Sequence, residues 1–146
     1  MNSSSPGLVG GILNALGNGL PHLLLQFIVA VVLLAAGVAI YMAVTPFRER
    51  EMIARGNTAA GVVLAGAILA IAIPIAATLA TSALVLDVIV WGIVAVVLQL
   101  LTVACVSLVF HQLRTRIEDN NIAAALTLAS TQIAVALLNA AAMIPN

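Results

Sequence analysis

Four stretches of the chain contain no Asp, Glu, Lys or Arg: residues 1–47, 56–86, 88–110 and 120–146. Each is at least as long as the roughly 20 apolar residues that cross a bilayer as a helix. Apolar and polar residues do not alternate with period two, so the runs do not read as barrel strands. The pattern predicts an all-α, polytopic membrane protein with four transmembrane helices, over residues 21–44, 57–80, 84–112 and 121–143. Pro21 suits a first helical turn and Pro46 stops the first helix after Thr45. The turn near 81–83 is short, so the second and third helices form a tight antiparallel hairpin. Ahead of the first helix, residues 2–7 read NSSSPG, a flexible leader. Beyond it Leu8, Ile12, Leu16 and Leu20 recur at spacing four, with Val9 and Leu13 beside them. That face predicts a short helix lying at the outer membrane interface. Five glycines within residues 7–19 work against it, leaving a disordered tail as the alternative.

The chain also repeats itself. ARGNTAAGVVLAG at 54–66 is echoed by EDNNIAAALTLAS at 118–130, an offset of 64 residues. Between 53–66 and 117–130, six of fourteen positions are identical, among them Asn57/Asn121, and the same offset pairs Arg50 with Arg114. Alanine matches mean little in a chain this rich in alanine; the Asn and Arg matches mean more. The reading is a tandem, parallel repeat of a two-helix unit. It divides the chain into an outer leader (1–20), a first repeat (21–82) and a second (83–146). Asn57 and Asn121 stand where helices begin, as N-caps for backbone N–H groups that lipid cannot satisfy. After Asn57, Gly61-xxx-Ala65 and Gly66-xxx-Ala70 allow close helix approach. Leu138 aligns with Pro74, a kink candidate in the second helix with no counterpart in the fourth.

Composition sharpens the picture. Hydrophobic residues make up 64% of the chain and charged ones 7%, with mean hydropathy +1.25. A soluble domain would be about a quarter charged. Net charge is zero, so nucleic acid is not an expected partner. All five cations are arginines, Arg48, Arg50, Arg55, Arg114 and Arg116, within two short segments, 46–57 and 111–121. The positive-inside rule puts both segments in the cytoplasm and both termini outside. Glu49 and Glu51 alternate with Arg48 and Arg50 and read as loop ion pairs. Cys105 lies inside the third apolar run, where a thiol serves as a small packing group. The N-terminus has no positive n-region, so a cleaved signal peptide is not expected.

The stretch PFREREMIARGNTAAGVVLAG at 46–66, followed by EDNNIAAAL at 118–126, resembles the YjfL-like bacterial inner-membrane proteins, which carry domain of unknown function 350. Their pattern is two copies of a charged loop running into GN-x-A-A-A. Here Gly56-Asn57-Thr58-Ala59-Ala60 fits the first copy, and Asn120 replaces the glycine of the second. The resemblance covers residues 22–145. It implies four membrane helices and a bacterial inner-membrane location, and no established activity.

Polar residues inside membrane helices are functional candidates, although packing through interhelical hydrogen bonds is commoner. At 100° per residue, Asn121, Gln132 and Asn139 fall within about 20° of one stripe. Gln99 and Thr102 share a face of the third helix, and Gln26 heads a stripe through Ala30, Gly37 and Tyr41. These side chains should face protein, as interhelical contacts or as a pore lining. Asp87 is the one charge outside the two Arg-rich segments. It suits a helix N-terminus, or else marks a cation or proton site at an outer mouth.

Catalysis is not expected. No Ser/His/Asp constellation, phosphate-binding glycine loop or metal-spaced cluster is present, His22 and His111 fall on opposite sides of the membrane, and no cofactor is implied. A proton-driven rotor subunit or a small drug exporter would need a buried mid-membrane carboxylate; the four predicted helices have none. Two readings remain. One is a homo-oligomeric scaffold in the lipid bilayer that offers its arginines to a cytoplasmic partner. The other is an oligomeric channel for ions or small polar solutes.

Overall fold

The structure is a computed structural model that describes residues 7–45, 48–82 and 84–143, except the side chains of residues 8, 9 and 18. Most of the NSSSPG leader, Pro46 and the middle of the 81–83 turn lie outside them, as do the side chains of residues 8 and 9 on the proposed interfacial face. The described residues form six helices and no strand: α1 (Leu8–Val44), α2 (Glu49–Ala54), α3 (Thr58–Thr81), α4 (Val85–Val109), α5 (Leu113–Glu118) and α6 (Ile122–Ala142). Four of them, α1, α3, α4 and α6, are long and apolar enough to cross a membrane.

The separate interfacial helix expected before Pro21 does not occur. Residues 8–44 form one helix of 37 residues with Pro21 inside it, about 55 Å long at 1.5 Å per residue. A proline removes one N–H and crowds the carbonyl four residues earlier. Here that residue is Gly17, and the helical ladder resumes on both sides. Pro21 therefore starts no element. At the other end Thr45 is extended (φ −67°, ψ 144°), as the residue before a proline must be.

The two expected Arg-rich loops are also largely helical. Each contains a six-residue helix, α2 and α5, and these are offset by 64 residues. The correspondence continues through the turns. Asn57 N donates to the Met52 carbonyl at 2.9 Å, and Asn121 N donates to the Arg116 carbonyl at 2.9 Å. Gly56 has φ +82° and Asn120 φ +60°. Asn is the residue other than glycine that best tolerates this left-handed conformation. Its presence in the second copy thus leaves the turn geometry intact.

α3 is the hub. It packs against α1, α4 and α6, and carries α2 and α5 at one end. α1 and α6 both pack on the α3–α4 pair, from opposite corners. Between helices in lipid there is little hydrophobic drive, so close approach of small residues supplies the packing. At the α3–α6 crossing, a Cβ on Gly66 would fall 2.5 Å from Ala129 Cβ. Ala67, Ala70 and Ala136 are fully buried in the same bundle. The first small-residue pair predicted for α3 plays no such part: Gly61 faces open space and Ala65 is exposed. Large apolar side chains such as Leu108, Leu138 and Leu86 point outward, toward the lipid that this composition requires.

Candidate functional site

α2 and α5 both pack at the Arg-bearing end of α3: a backbone turn closed by Asn57 N and the Met52 carbonyl carries α2, and two asparagine side chains tie α5. Asn57 Oδ1 accepts from Ala60 N at 2.8 Å, the expected N-cap. Its Nδ2 also donates to the carbonyls of Ile117 (2.9 Å) and Glu118 (3.0 Å). One side chain thereby caps the start of α3 and the end of α5. Asn120 returns the link across the repeat, its Oδ1 accepting from Ala59 N at 2.9 Å. Asn121 caps α6 through Ala124 N at 3.0 Å. The sequence marks Asn57 and Asn121 as equivalent; the structure gives Asn57 the larger role.

Between α2 and α5 is an open cleft of about 600 Å³, lined by Arg48, Arg55, Arg114, Glu51, Glu118 and the Gly56–Asn57 turn, among others. Arg48 and Arg55 both approach Glu51, at 3.5 and 4.0 Å, and Arg114 meets Glu118 at 2.8 Å. All of these side chains are largely solvent-exposed, so the pairs are worth little individually. The guanidinium groups remain able to meet a bound anion. Arg50 and Arg116 are exposed but point away from this cleft.

Glu49 departs from the expected loop ion pair. It is 2% exposed and within 4.0 Å of no cation among the described residues. Thr45 Oγ1 lies 3.0 Å from its Oε1 and 2.7 Å from the Tyr41 carbonyl. Burial pushes the Glu49 carboxyl above its ordinary value, opposed more weakly by its own backbone N–H and by Thr45. The repeat offset could have signalled this: Glu49 aligns with Leu113, an apolar anchor that is 4% exposed.

Inside the bundle, Gln99 is buried and its Nε2 donates to the Ala70 carbonyl at 3.4 Å. In an α-helix that carbonyl would accept from residue 74. Residue 74 is a buried proline with no N–H. Gln99 therefore satisfies the acceptor that Pro74 orphans, a neighbouring-helix repair. Gln132, fully buried, donates from Nε2 to the Tyr41 hydroxyl at 3.0 Å, joining the diagonal helices α6 and α1. Thr102 is buried and bonds back to the Leu98 carbonyl at 2.8 Å. Gln26 is buried and reaches the Ser82 carbonyl at 3.5 Å. Asn139 is half-buried. Asp87, in the first turn of α4, accepts a hydrogen bond from Ser82 Oγ, and Ser82 Oγ accepts from Leu84 N at 3.1 Å. Asp87 thus closes the α3–α4 turn at the uncharged end.

Most of the chain has a counterpart in known sequences. The model of a domain of unknown function, DUF350, matches residues 15–143. The chain belongs to the DUF350 family. The UPF0719 inner membrane protein YjfL of Escherichia coli (strain K12) is 32% identical over 117 residues, covering 80% of this chain and 89% of the relative. The YjfL protein of Escherichia coli O157:H7 matches to the same extent. No solved structure matches. The DUF350 match begins at residue 15, inside the segment set apart as a leader, in accord with the unbroken α1. Its relatives' location and its four apolar helices agree on a multi-pass inner-membrane protein.

Proposed function

We propose that this DUF350 protein is a homo-oligomeric inner-membrane scaffold that docks a cytoplasmic protein through the cleft formed by Arg48, Arg55 and Arg114. The single observation that carries the reading is the clamp around that cleft. The side chains of Asn57 and Asn120 fasten α5 to the α3 terminus, and the Asn57 backbone N–H, bonded to the Met52 carbonyl, closes the turn that joins α2 to the same terminus, which holds three guanidinium groups around one open volume. Such an array suits carboxylates of an acidic protein segment, which Arg can meet bidentately. The positive-inside rule puts this end in the cytoplasm and the termini outside. The matched turns and caps at offset 64 support a tandem duplication as its origin, in which only the first copy's Asn gained the second contact.

The alternative, an oligomeric channel lined by polar stripes, draws less support. Gln99 and Gln132 use their amide N–H groups within a single chain and are buried inside its own bundle. Photo-crosslinking from position 52, where the uncharged Met52 lines the cleft, tests the docking reading in whole cells. Discrete protein adducts should form in the parent and disappear when Arg48 and Arg114 are changed to Gln. Lipid-only adducts, or protein adducts indifferent to the substitutions, would defeat it.

A further inference from the structure

We propose that Glu49 is a buried proton-binding site, and that proton occupancy there decides whether α2 stays docked against the bundle. The geometry of Thr45 carries the argument. Its Oγ1 lies 2.7 Å from the Tyr41 carbonyl and 3.0 Å from Glu49 Oε1. A threonine hydroxyl has one proton to donate, and a carbonyl can only accept. That one proton faces two acceptors, the Tyr41 carbonyl, which also accepts from Thr45 N at 2.9 Å, and Glu49 Oε1, so an ionised Glu49 cannot have it in full. A protonated Glu49 carboxyl brings the second proton that lets both short contacts of Thr45 Oγ1 be hydrogen bonds.

The surroundings agree. A carboxylate in a 2%-exposed position, without a cation, is strongly disfavoured. In the docked state its own backbone N–H and the Thr45 hydroxyl oppose that penalty only weakly. From the end of α1 it meets the Thr45 hydroxyl. α3 and α6 contain no titratable side chain. α4 contributes only Asp87, at the opposite end, and the exposed Cys105. On its own segment, Arg48, Arg50 and Glu51 line, together with Glu49, an open cavity of about 410 Å³, and Arg48 is engaged with Glu51. Leu113, the matching residue of α5, shows what the fold places here when no proton is to be sensed: an apolar side chain.

The sign follows from the raised value. Docking of α2 is complete below the ordinary glutamate pKa, weakens as pH rises above it, and is lost once pH passes the raised one. Ionised Glu49 leaves its pocket for water and for Arg48 or Arg50. Because Arg48, Glu51 and Arg55 on α2 form one wall of the cleft, its release alters the arginine array. That consequence rests on the docking reading above; the protonation does not.

The test uses the full chain in lipid nanodiscs, with no partner present. Infrared titration of the parent should show a protonated carboxyl band that persists above the ordinary value of about 4.3 and is missing in Glu49→Gln. Hydrogen exchange of residues 49–54, corrected for its intrinsic pH dependence, should rise by up to about tenfold per pH unit between the ordinary and the raised value, the slope of one proton, and level off above the raised one. It should stay flat in Glu49→Gln and in Glu49→Leu, the latter copying Leu113 and guarding against a misfolded amide variant. A carboxyl band with an ordinary midpoint, or the same exchange slope in both variants as in the parent, overturns the proposal.

Discussion

Gln99 and Pro74 act as a pair. Replacing Gln99 by Leu leaves the Ala70 carbonyl buried without a donor, which costs about 1–3 kcal/mol. With Pro74→Ala, residue 74 regains an N–H and can close the helical bond to Ala70. Gln99→Leu should then cost distinctly less in the Pro74→Ala background than in the parent. Reversible unfolding in mixed micelles measures the double-mutant cycle; equal costs in both backgrounds would show that Gln99 does not serve the proline. Gln99 was visible in the sequence as a polar residue in an apolar run. Its purpose was not, because the tie to Ala70 spans 29 residues and depends on how α4 rotates against α3. Glu49 was hidden more deeply. As one of two glutamates among arginines it looks like a solvated charge, and only its alignment with the buried Leu113 sets it apart from Glu51.

At the scale of elements, the caps and the close approaches make separate predictions. Asn57→Ala removes one N-cap bond and two bonds to the α5 carbonyls, whereas Asn121→Ala removes a single cap bond. Loss of a cap costs about 1 kcal/mol. Asn57→Ala should cost that and about 1 kcal/mol more, and should raise hydrogen exchange in α5 as well as at the start of α3. Asn121→Ala should disturb only the start of α6. On the packing side, Gly66→Ala puts a methyl against Ala129 and should separate α3 from α6, costing roughly 1–3 kcal/mol. Gly61→Ala meets nothing and should be neutral or slightly stabilising through helix propensity. Thermal melts of the two variants compare them directly, and equal shifts would remove Gly66 from the packing argument. The small-xxx-small spacing identified both glycines, but spacing does not say which face of α3 meets α6. The helix boundaries were legible to within a few residues, since uncharged runs and Asn caps fix them. The unbroken α1 was not: Pro21 after several glycines carries the same local signal whether a helix starts there or merely passes through.

Over the whole molecule, charge and length set orientation. The bundle has one end with five arginines and four acidic residues, and another whose described charge is Asp87. Four spans make the ends of the chain lie on the same side, so one decision orients everything. Insertion scales count Arg and Lys near span ends and give Asp and Glu little weight, so the ion pairs with Glu51 and Glu118 should not cancel the signal. Changing all five arginines to Gln should therefore yield a population of mixed orientation. N- and C-terminal reporter fusions would read this as activity on both sides of the membrane. A uniform orientation in the variant would mean that another feature decides topology, the long α1 being the first suspect. Its 37 residues exceed what a hydrocarbon core of about 30 Å requires. The surplus turns must therefore tilt or project from the bilayer, and they lie at the end remote from the arginines. The same arginines that orient the chain also line its cleft. Restoring only Arg50 and Arg116, which stand outside the cleft, separates the two roles: orientation should become uniform again while partner crosslinks remain absent.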